Sequence, residues 1–395
     1  MDKIKPRTLS GFMELPPDKQ VQMDKMRAVL AETYARYGFT PLDTPAIEAA
    51  EVLLAKGGGE TEKQIYRFTK GDSDLALRFD LTVPLAKYVA ANYGQLTFPF
   101  RRYQIGKVWR GERAQRGRFR EFYQADIDII GDGKLDKIGA DKVRELLTDT
   151  CGVTGENADE ILRFIACPGT SADKLAFLEQ YRGRNETFDT GLDELRTVVG
   201  YLPAFGVPEE NFELDLTIAR GLDYYTGTVY ETVLLDHPEV GSICSGGRYD
   251  DLAGYYTNKS LPGVGISIGL TRLFYILQEQ NMISDAVLTA PADVLILPMT
   301  DDLSAAVALA SELRAGGLRV QIYSEKKKFK AKIGYADKLG IPFVIFLGED
   351  EIAQHVCALK NMATGVQEAV TSAAALETIR AEIARRSAGT ILREP

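Results

Sequence analysis

The chain has 395 residues and a formal net charge of -9 at pH 7, with 45% hydrophobic and 26% charged residues. This length suits two domains or slightly more, and the composition is typical of soluble globular proteins. No run of about 18 apolar residues occurs, and the N-terminus lacks the apolar stretch of a signal peptide. We therefore expect a soluble, cytoplasmic protein.

Cysteine and histidine usage argues against a metal centre. The four cysteines (Cys151, Cys167, Cys244 and Cys357) are widely spaced and form no CxxC pair, which fits a reducing compartment. The two histidines, at positions 237 and 355, lie far apart. We expect neither a histidine-based triad nor a protein-bound metal. The net acidity argues only weakly against nucleic-acid binding, because local patches matter more than total charge.

The N-terminal third begins with a predicted helix in VQMDKMRAVLAETYARYGF, which ends at Gly38. Its apolar and aromatic residues at helical spacing are Met26, Val29, Leu30, Thr33, Tyr34 and Tyr37. A proline-punctuated segment, TPLDTPAIEAAEVLL, follows. The stretch ALRFDLTVPLAKYVAANYG then predicts a short strand that runs into a helix near Pro84.

A basic hairpin is predicted from Phe98 to Ile130. Positions 101–121 hold eight Lys or Arg against two carboxylates. On the second strand, apolar side chains occupy the odd positions, and polar ones, including Gln124 and Asp128, occupy the even positions. This alternation predicts one core face and one exposed or functional face. A solvated hairpin is the simpler interpretation, but the polar face within a strand built for burial favours a binding site.

The remaining chain divides in two. Residues 135 to about 208 are predicted to be mainly helical, for example DKIGADKVRELLTD and ADKLAFLEQY. Strands return in FELDLTIARGLDYYTGTVYETVLL, SICSGGRYDDL and GVGISIG, with a helix after Gly269. After LTAPADV, strands and helices alternate through ADVLILPM, SAAVALASELRAGG, RVQIYSE, YADKLG and PFVIFLG to a long alanine-rich helix. This pattern predicts a small α/β domain of about 100 residues.

Neither a Walker loop nor a strand-associated GxGxxG fingerprint is present, so a bound nucleotide would need side-chain cations for its phosphates. Arginine suits this role because its planar group makes bidentate contacts and keeps its charge when partly buried.

Several motifs resemble the histidyl-tRNA synthetase family of class II aminoacyl-tRNA synthetases. WRGERAQRGRFREFYQADIDIIG resembles motif 2, and GVGISIGLTRL resembles motif 3. IARGLDYYTGTVYE resembles the histidine-binding motif of that family, and SICSGGRYDDL and LRFDLTVPLAKY resemble two further blocks. TPLDTPAIEAAEVLL occupies the place of the dimer-forming motif 1. The resemblance covers nearly the whole chain.

The resemblance implies a ligase that activates histidine with ATP and transfers it to tRNA-His. Arg110, Arg220 and Arg272 would be catalytic, with Arg110, Arg272 and Glu112 at the ATP and Arg220 beside the reacting carboxylate and α-phosphate. Mg²⁺ would accompany the outer phosphates. Residues implied to bind histidine are Asp80, Thr82, Gln124, Asp128, Arg220, Tyr224 and Tyr225. Taken alone, Asp80 and Asp128 are better explained by structural salt bridges.

The resemblance also implies tRNA contacts, a homodimer and a domain plan. Gln115 and Arg116 would meet the acceptor end, and Lys326, Lys327 and Lys328 would contact tRNA phosphates, although a solvated helix face is the simpler interpretation of the lysines. The expected fold is an α+β class II catalytic domain with an antiparallel sheet, plus a small α/β anticodon-binding domain. The catalytic core would comprise 1–133 and 209–285, a shortened helical insertion 134–208, and the anticodon-binding domain 291–395.

The chain departs from the family after Gly133, where a helix, a core strand and further helices are expected and several dozen residues are missing. A deliberate deletion, residues left out of the printed sequence and natural variation each explain this, and ILRFIAC is a candidate replacement strand. Two alternatives to an active ligase follow. One is a shortened protein that binds ligands or dimerises but aminoacylates poorly. The other is a non-catalytic relative such as the regulatory subunit of ATP phosphoribosyltransferase.

Overall fold

The computed structural model describes residues 4–55, 60–113, 117–131, 167–218, 224–284, 287–387 and 391–392. The predicted helix in DKIGADKVRELLTD and the candidate strand in ILRFIAC lie outside the described residues. The chain divides into two compact units. The first is Met1–Met13 with Leu30–Ile276, and the second is Glu14–Val29 with Leu277–Pro395.

The predicted first helix is present as α1, Pro17–Arg36, and the chain leaves it through Gly38, whose φ is +78°. Met26 and Tyr34 are buried as expected, but Val29 and Tyr37 are exposed. Tyr37 lies beyond the helix end, and Val29 lies at the flank of the buried face. The predicted apolar face was therefore too wide.

Nine strands are described in the first unit. They are β1 Thr40–Pro41, β2 Ile47–Ala49, β3 Arg67–Lys70, β4 Ser73–Leu77, β5 Phe100–Trp109, β6 Glu121–Ile130, β7 Val229–Thr232, β8 Cys244–Tyr249 and β9 Gly263–Ile268. Six of them form a sheet in the order β1-β5-β6-β9-β8-β7. Only the β1–β5 pair of this sheet is parallel within the described residues, and the other four pairs are antiparallel. Strands β2, β4 and β3 form a small antiparallel sheet.

The helices of the first unit pack around these sheets. They are α2 Ala50–Leu53, α3 Glu60–Gln64, α4 Thr82–Asn92, α5 Ser171–Glu179, α6 Glu186–Tyr201 and α7 Leu270–Glu279. Helix α4 buries Leu85, Ala86 and Val89 in one apolar cluster with residues of α2 and with Tyr249. Helices α5 and α6 form a separate small core around Leu178 and Leu192. Helix α5 confirms the prediction for ADKLAFLEQY.

The strand predicted at FELDLTI is wrong for the residues that the structure describes there, 212–218, which form loop and turn. The cause is local. The Asp215 carboxylate accepts hydrogen bonds from the backbone N–H and the hydroxyl of Thr217, at 2.8 Å and 2.7 Å. Such a side-chain turn competes with a strand ladder.

The second unit is the predicted α/β domain. Its strands are β10 Val294–Pro298, β11 Val320–Ile322, β12 Phe343–Leu347, β13 Cys357–Asn361 and β14 Gln367–Val370, in the order β11-β10-β12-β13-β14. Its helices are α8 Ser304–Ala315, α9 Phe329–Lys338, α10 Glu349–Ala353 and α11 Ser372–Ser387. Apolar clusters lie on both faces of the sheet. This explains why β10 and β12 are continuous apolar runs and fully buried.

Candidate active site

The alternation predicted for β6 is present, but its burial is the reverse of a simple amphipathic strand. The polar side chains of Gln124, Asp126 and Asp128 are buried, whereas Ile127 and Ile129 are only partly buried. The isoleucines expected in the core are thus only partly buried, and of the two alternatives for the polar face, exposed or functional, the structure agrees with the functional one. The polar face looks into a cavity and is shielded there by neighbouring strands and loops.

That cavity has a volume of about 600 Å³. It brings together most of the side chains that the sequence predicted for the site: Asp80, Thr82, Arg110, Glu112, Gln124, Asp128, Tyr224, Tyr225 and Arg272. Arg220, Gln115 and Arg116 lie outside the described residues. Residues as far apart in sequence as Gln64 and Arg272 therefore line one space, because α4, β6, β8 and β9 meet around it.

Asp80 closes one wall of the cavity. One carboxylate oxygen accepts the N–H of Val83 at 3.1 Å, in the first turn of α4, and the other lies 3.4 Å from the hydroxyl of Tyr224. Burial raises the pKa of Asp80 to about 6, although these bonds and two nearby arginines oppose the shift. Asp80 thus bonds the first turn of α4, as a structural residue would, and it also lines the cavity.

Asp128 also lines the cavity and is held from two sides. The hydroxyl of Tyr249 donates to Oδ1 at 2.5 Å, and Nη2 of Arg102 lies 2.7 Å from Oδ2. Burial raises the pKa of Asp128, while the charge of Arg102 opposes the shift. The structural salt bridge considered for Asp128 therefore exists, and the same carboxylate lines the cavity.

Gln124 is oriented by β9, because its Nε2 donates to the Ser267 hydroxyl at 2.7 Å. Its Oε1 is buried and has no hydrogen-bond partner among the described residues. A buried amide oxygen without a donor is costly. It is therefore suited to accept a hydrogen bond from a ligand in the cavity.

The same cavity also carries arginines. Arg110 is anchored by its Nε–H to the carbonyl of Phe79 at 3.0 Å, and its guanidinium lies over the ring of Phe122, 5.3 Å from the centroid. Arg272 donates to the carbonyls of Ser242 and Val240. Burial and the nearby charge of Arg118 lower the pKa of Arg272. Clustered, partly desolvated arginines of this kind favour a polyanion such as a triphosphate.

Two glycines leave space for the side chains of the site. A Cβ at Gly265 would lie 2.1 Å from Oδ1 of Asp128, and one at Gly247 would lie 2.7 Å from the ring of Tyr225. In the structure, the space beside these two glycines is occupied by protein side chains that themselves line the cavity.

Sequence reasoning missed several polar residues of the cavity wall, among them Asp126, Tyr249, Ser267 and Glu231. Asp126 had a detectable signal, because it lies on the polar face of β6 between two residues that were singled out. Burial raises the pKa of Asp126 to about 7, and the charges of Asp128 and Asp80 contribute. Tyr249 lies in a quoted motif, but nothing in the local sequence indicates its bond to Asp128.

The lysines predicted to contact tRNA belong to the second unit and precede or begin α9. Lys326 pairs with Asp301 at 2.9 Å and Lys327 with Glu325 at 2.7 Å, and both lysines are exposed. Lys328 is exposed at the start of the helix. Exposed ion pairs of this kind are weak, so these contacts can be exchanged for phosphates.

Two further features are absent from the described residues. These residues contain no group of three or more His, Cys, Asp or Glu side chains that could hold a metal ion. They also contain no helix that is long and apolar enough to span a membrane.

The fold and the cavity together define a class of protein. A mostly antiparallel six-stranded sheet carries the cavity, and a small α/β domain is encoded after it. This is the architecture of a class II aminoacyl-tRNA synthetase with an anticodon-binding domain.

Comparison with known proteins identifies the family. The profile described as Histidyl-tRNA synthetase matches residues 11–155 and 140–273, and the profile described as Anticodon binding domain matches residues 293–382. The chain belongs to the histidyl-tRNA synthetase family. Both the resemblance and the fold class predicted from the sequence are thereby confirmed.

Individual relatives agree with this assignment. The chain is 46% identical to a histidine–tRNA ligase of Clostridium tetani, over 96% of this chain and 99% of the relative. It is 42% identical to that of Finegoldia magna, over 92% and 97%. A crystal structure of histidyl-tRNA synthetase from Nostoc sp. PCC 7120 superposes with a TM-score of 0.80 at 34% identity, covering 96% of this chain and all of that one.

Two further observations bear on the alternatives. The Clostridium alignment spans 435 positions, more than the 395 residues of the chain, so it contains gaps within this chain. A structure from Bacillus halodurans, named as an ATP phosphoribosyltransferase regulatory subunit/histidyl-tRNA synthetase, matches with a TM-score of 0.67. At 20% identity it indicates a shared fold only.

Proposed function

We propose that this protein is a histidine–tRNA ligase that works in two steps. A carboxylate oxygen of histidine attacks the α-phosphorus of ATP, the bond to the bridging oxygen breaks, and pyrophosphate leaves. A hydroxyl of the 3′-terminal ribose of tRNA-His then attacks the carbonyl carbon of histidyl-adenylate, and AMP leaves. The observation that carries the proposal is one cavity lined both by buried carboxylates and by arginines.

The buried carboxylates of the cavity suit histidine. Asp80, Thr82 and Gln124 would surround the ammonium group, which pairs best with a carboxylate and with acceptors such as the free Oε1 of Gln124. Asp128 and Tyr225 would face the imidazole, with Tyr224 nearby. A ring with one donor and one acceptor nitrogen is best selected by paired polar partners, because an analogue without them leaves buried groups unpaired.

The arginines of the cavity suit ATP. Arg110 and Arg272 would contact the triphosphate and Glu112 would lie near the nucleotide; fixed cations stabilise the charge that develops in phosphoryl chemistry. Glu112 and Glu231 line the cavity. They offer the one or two carboxylates that Mg²⁺ uses together with substrate phosphates. When bound, Mg²⁺ would neutralise phosphate charge.

The domain plan and the partners complete the proposal. Residues 1–133 and 209–285 would form the catalytic core, 134–208 the insertion, and 291–395 the anticodon-binding domain that carries Lys326, Lys327 and Lys328 against tRNA. Gln115 and Arg116 would meet the acceptor end. The protein would act in the cytoplasm as a homodimer, with TPLDTPAIEAAEVLL at the dimer interface. Light scattering after size exclusion measures the mass of the particle and so tests the dimer directly.

Two assays run side by side test the function. Histidine-dependent exchange of labelled pyrophosphate into ATP measures the first step, and charging of tRNA-His measures both; reactions without histidine, or with another amino acid, are the controls. An active ligase gives both signals. Exchange with poor charging would indicate the shortened, poorly aminoacylating form. Absence of exchange in folded protein would refute the proposal and favour a non-catalytic relative.

Arg220 provides a test of the chemical step. Its role rests on the IARGLDYYTGTVYE motif, which places it beside the reacting carboxylate and α-phosphate. We predict that Arg220→Ala slows single-turnover formation of the adenylate much more than it weakens ATP binding, because the cation would act on charge that develops in the transition state. Equal losses in rate and in ATP affinity would contradict that role.

A further inference from the structure

Arg102 is a fully buried cation beneath the cavity. Its side chain is 0% exposed, and β5 places it directly opposite Asp128 of β6. Its Nη2 donates to the carbonyl of Leu81 at 3.1 Å and lies 2.7 Å from Oδ2 of Asp128. Its Nε and Nη1 have no hydrogen-bond acceptor among the described residues. Burying a guanidinium so incompletely bonded is costly, so the presence of an arginine at this position needs an explanation.

The position of Arg102 connects two parts of the proposed histidine site. Leu81 lies between Asp80 and Thr82, the residues assigned to the ammonium group, whereas Asp128 is assigned to the imidazole. One nitrogen of Arg102 therefore contacts both segments. The Tyr249 hydroxyl fixes Oδ1 of Asp128, while Oδ2 has no hydrogen bond among the described residues. Oδ2 is instead paired with Nη2 of Arg102 at 2.7 Å, so Tyr249 and Arg102 together hold both oxygens of Asp128.

Charge balance gives Arg102 a second effect. Asp80, Asp126 and Asp128 are each at most 3% exposed and lie near this one buried arginine. The charge of Arg102 opposes the rise in pKa of all three carboxyl groups. Asp126 faces Gln104 across β5 and Ser267 across β9. Asp126 belongs to this cluster of buried carboxylates, but the resemblance gives it no ligand role.

We propose that Arg102 is a positioning residue, which fixes Asp128 and the Asp80–Thr82 segment in the arrangement that selects histidine, with Asp126 as its counter-charge. This inference rests on the proposed function. A purely structural role explains the observations less well, because replacing a buried ion pair by apolar side chains is often neutral or stabilising. The position of Arg102 between two ligand-binding segments gives a reason to retain the charge.

The test uses Arg102→Met and the double variant Arg102→Met/Asp126→Asn, with Lys174→Met as the matched control. Lys174 is also buried, but it bonds Glu213 and the Leu214 carbonyl and does not line the cavity. Pyrophosphate exchange gives KM for histidine and for ATP separately, and thermal unfolding reports on folding.

We expect Arg102→Met to raise the histidine KM at least tenfold and to change the ATP KM less than twofold. Adding Asp126→Asn should restore stability lost through the uncompensated carboxylates, but not the histidine KM. Lys174→Met should lower the unfolding temperature and leave both KM values unchanged. This combination separates positioning from folding.

Several outcomes would overturn the proposal. They are a histidine KM within twofold of the unsubstituted protein, equal rises in both KM values, recovery of the histidine KM in the double variant, and failure of both Arg102 variants to fold. If the unsubstituted protein itself lacks exchange, the proposed function fails instead. The two failures are therefore distinguishable.

Discussion

Substituting Gly265 by alanine tests how the Asp128 carboxylate is placed in the cavity. Gly265 lies opposite Asp128 in the β6–β9 register. An added Cβ would stand 2.1 Å from Oδ1 and 2.7 Å from Cγ of that carboxylate, and 2.8 Å from the carbonyl of Ile127. Since real Cβ contacts essentially never fall below 3.0 Å, Asp128 must move by about 1 Å or β9 must shift.

The expected effect can be given a magnitude. Displacing Asp128 removes the aligned bond from Tyr249 and the proposed bond to the imidazole. A hydrogen bond to a charged group contributes about 1.5–3 kcal/mol, and every 1.4 kcal/mol is a factor of ten. We therefore expect Gly265→Ala to raise the histidine KM roughly 10- to 100-fold, with little change in the ATP KM. Overpacking should also lower the free energy of unfolding by about 1–3 kcal/mol.

The assay is pyrophosphate exchange over a range of histidine concentrations, with urea unfolding as the stability measurement. Gly254→Ala is the matched control, because nothing lies within 4 Å of a Cβ there. It should leave the histidine KM and the stability unchanged. A Gly265→Ala protein with the same histidine KM as the unsubstituted protein would refute the placement of Asp128 against this glycine.

Three further predictions concern charged or reactive groups. Because burial raises the pKa of Asp126 to about 7, wild-type stability should fall as pH rises from the unfolded value near 4 through 7. The stability gain of Asp126→Asn in urea unfolding should thus be roughly 2–3 kcal/mol larger at pH 8 than at pH 5; a gain independent of pH would contradict this. Lys174→Met removes the donor to Glu213 and Leu214 and should lower the free energy of unfolding by about 1–3 kcal/mol, whereas Lys25→Met at an exposed position of α1 should not. Burial raises the pKa of the Cys357 thiol to about 11, so iodoacetamide at pH 8 should label it, by peptide mass spectrometry, only after unfolding; rapid labelling of folded protein would show that the thiol is accessible.

The second unit was predictable from its sequence because its physics is simple. A sheet covered on both faces requires continuous apolar runs in β10 and β12. Glycines mark the C-terminal ends of α8 and α9, at Gly316 and Gly340. The hairpin of β13 and β14 was missed, since QEAV of β14 is short and mostly exposed. Short edge strands carry little of the apolar pattern on which such predictions rest.

The first unit was less predictable, because several of its strands are stabilised by distant contacts. The strand predicted at FELDLTI has adequate β propensity, but the side-chain turn of Asp215 takes the backbone away from a ladder. The bond of Tyr249 to Asp128 joins residues 121 positions apart. The motifs named residues most of which line one cavity, whereas these long-range contacts could come only from the folded chain.

Strand β6 shows why the sequence pattern alone left open whether its polar face is exposed or functional. Alternation defines two faces, and charge normally marks the solvated one. Burying Asp126 and Asp128 is tolerated here because Arg102, opposite in register, and the Tyr249 hydroxyl partly compensate them. A buried face with more carboxylates than cations still lacks positive charge. An ammonium ligand supplies a positive charge, so the same imbalance that makes β6 costly to bury provides the affinity for histidine that we propose.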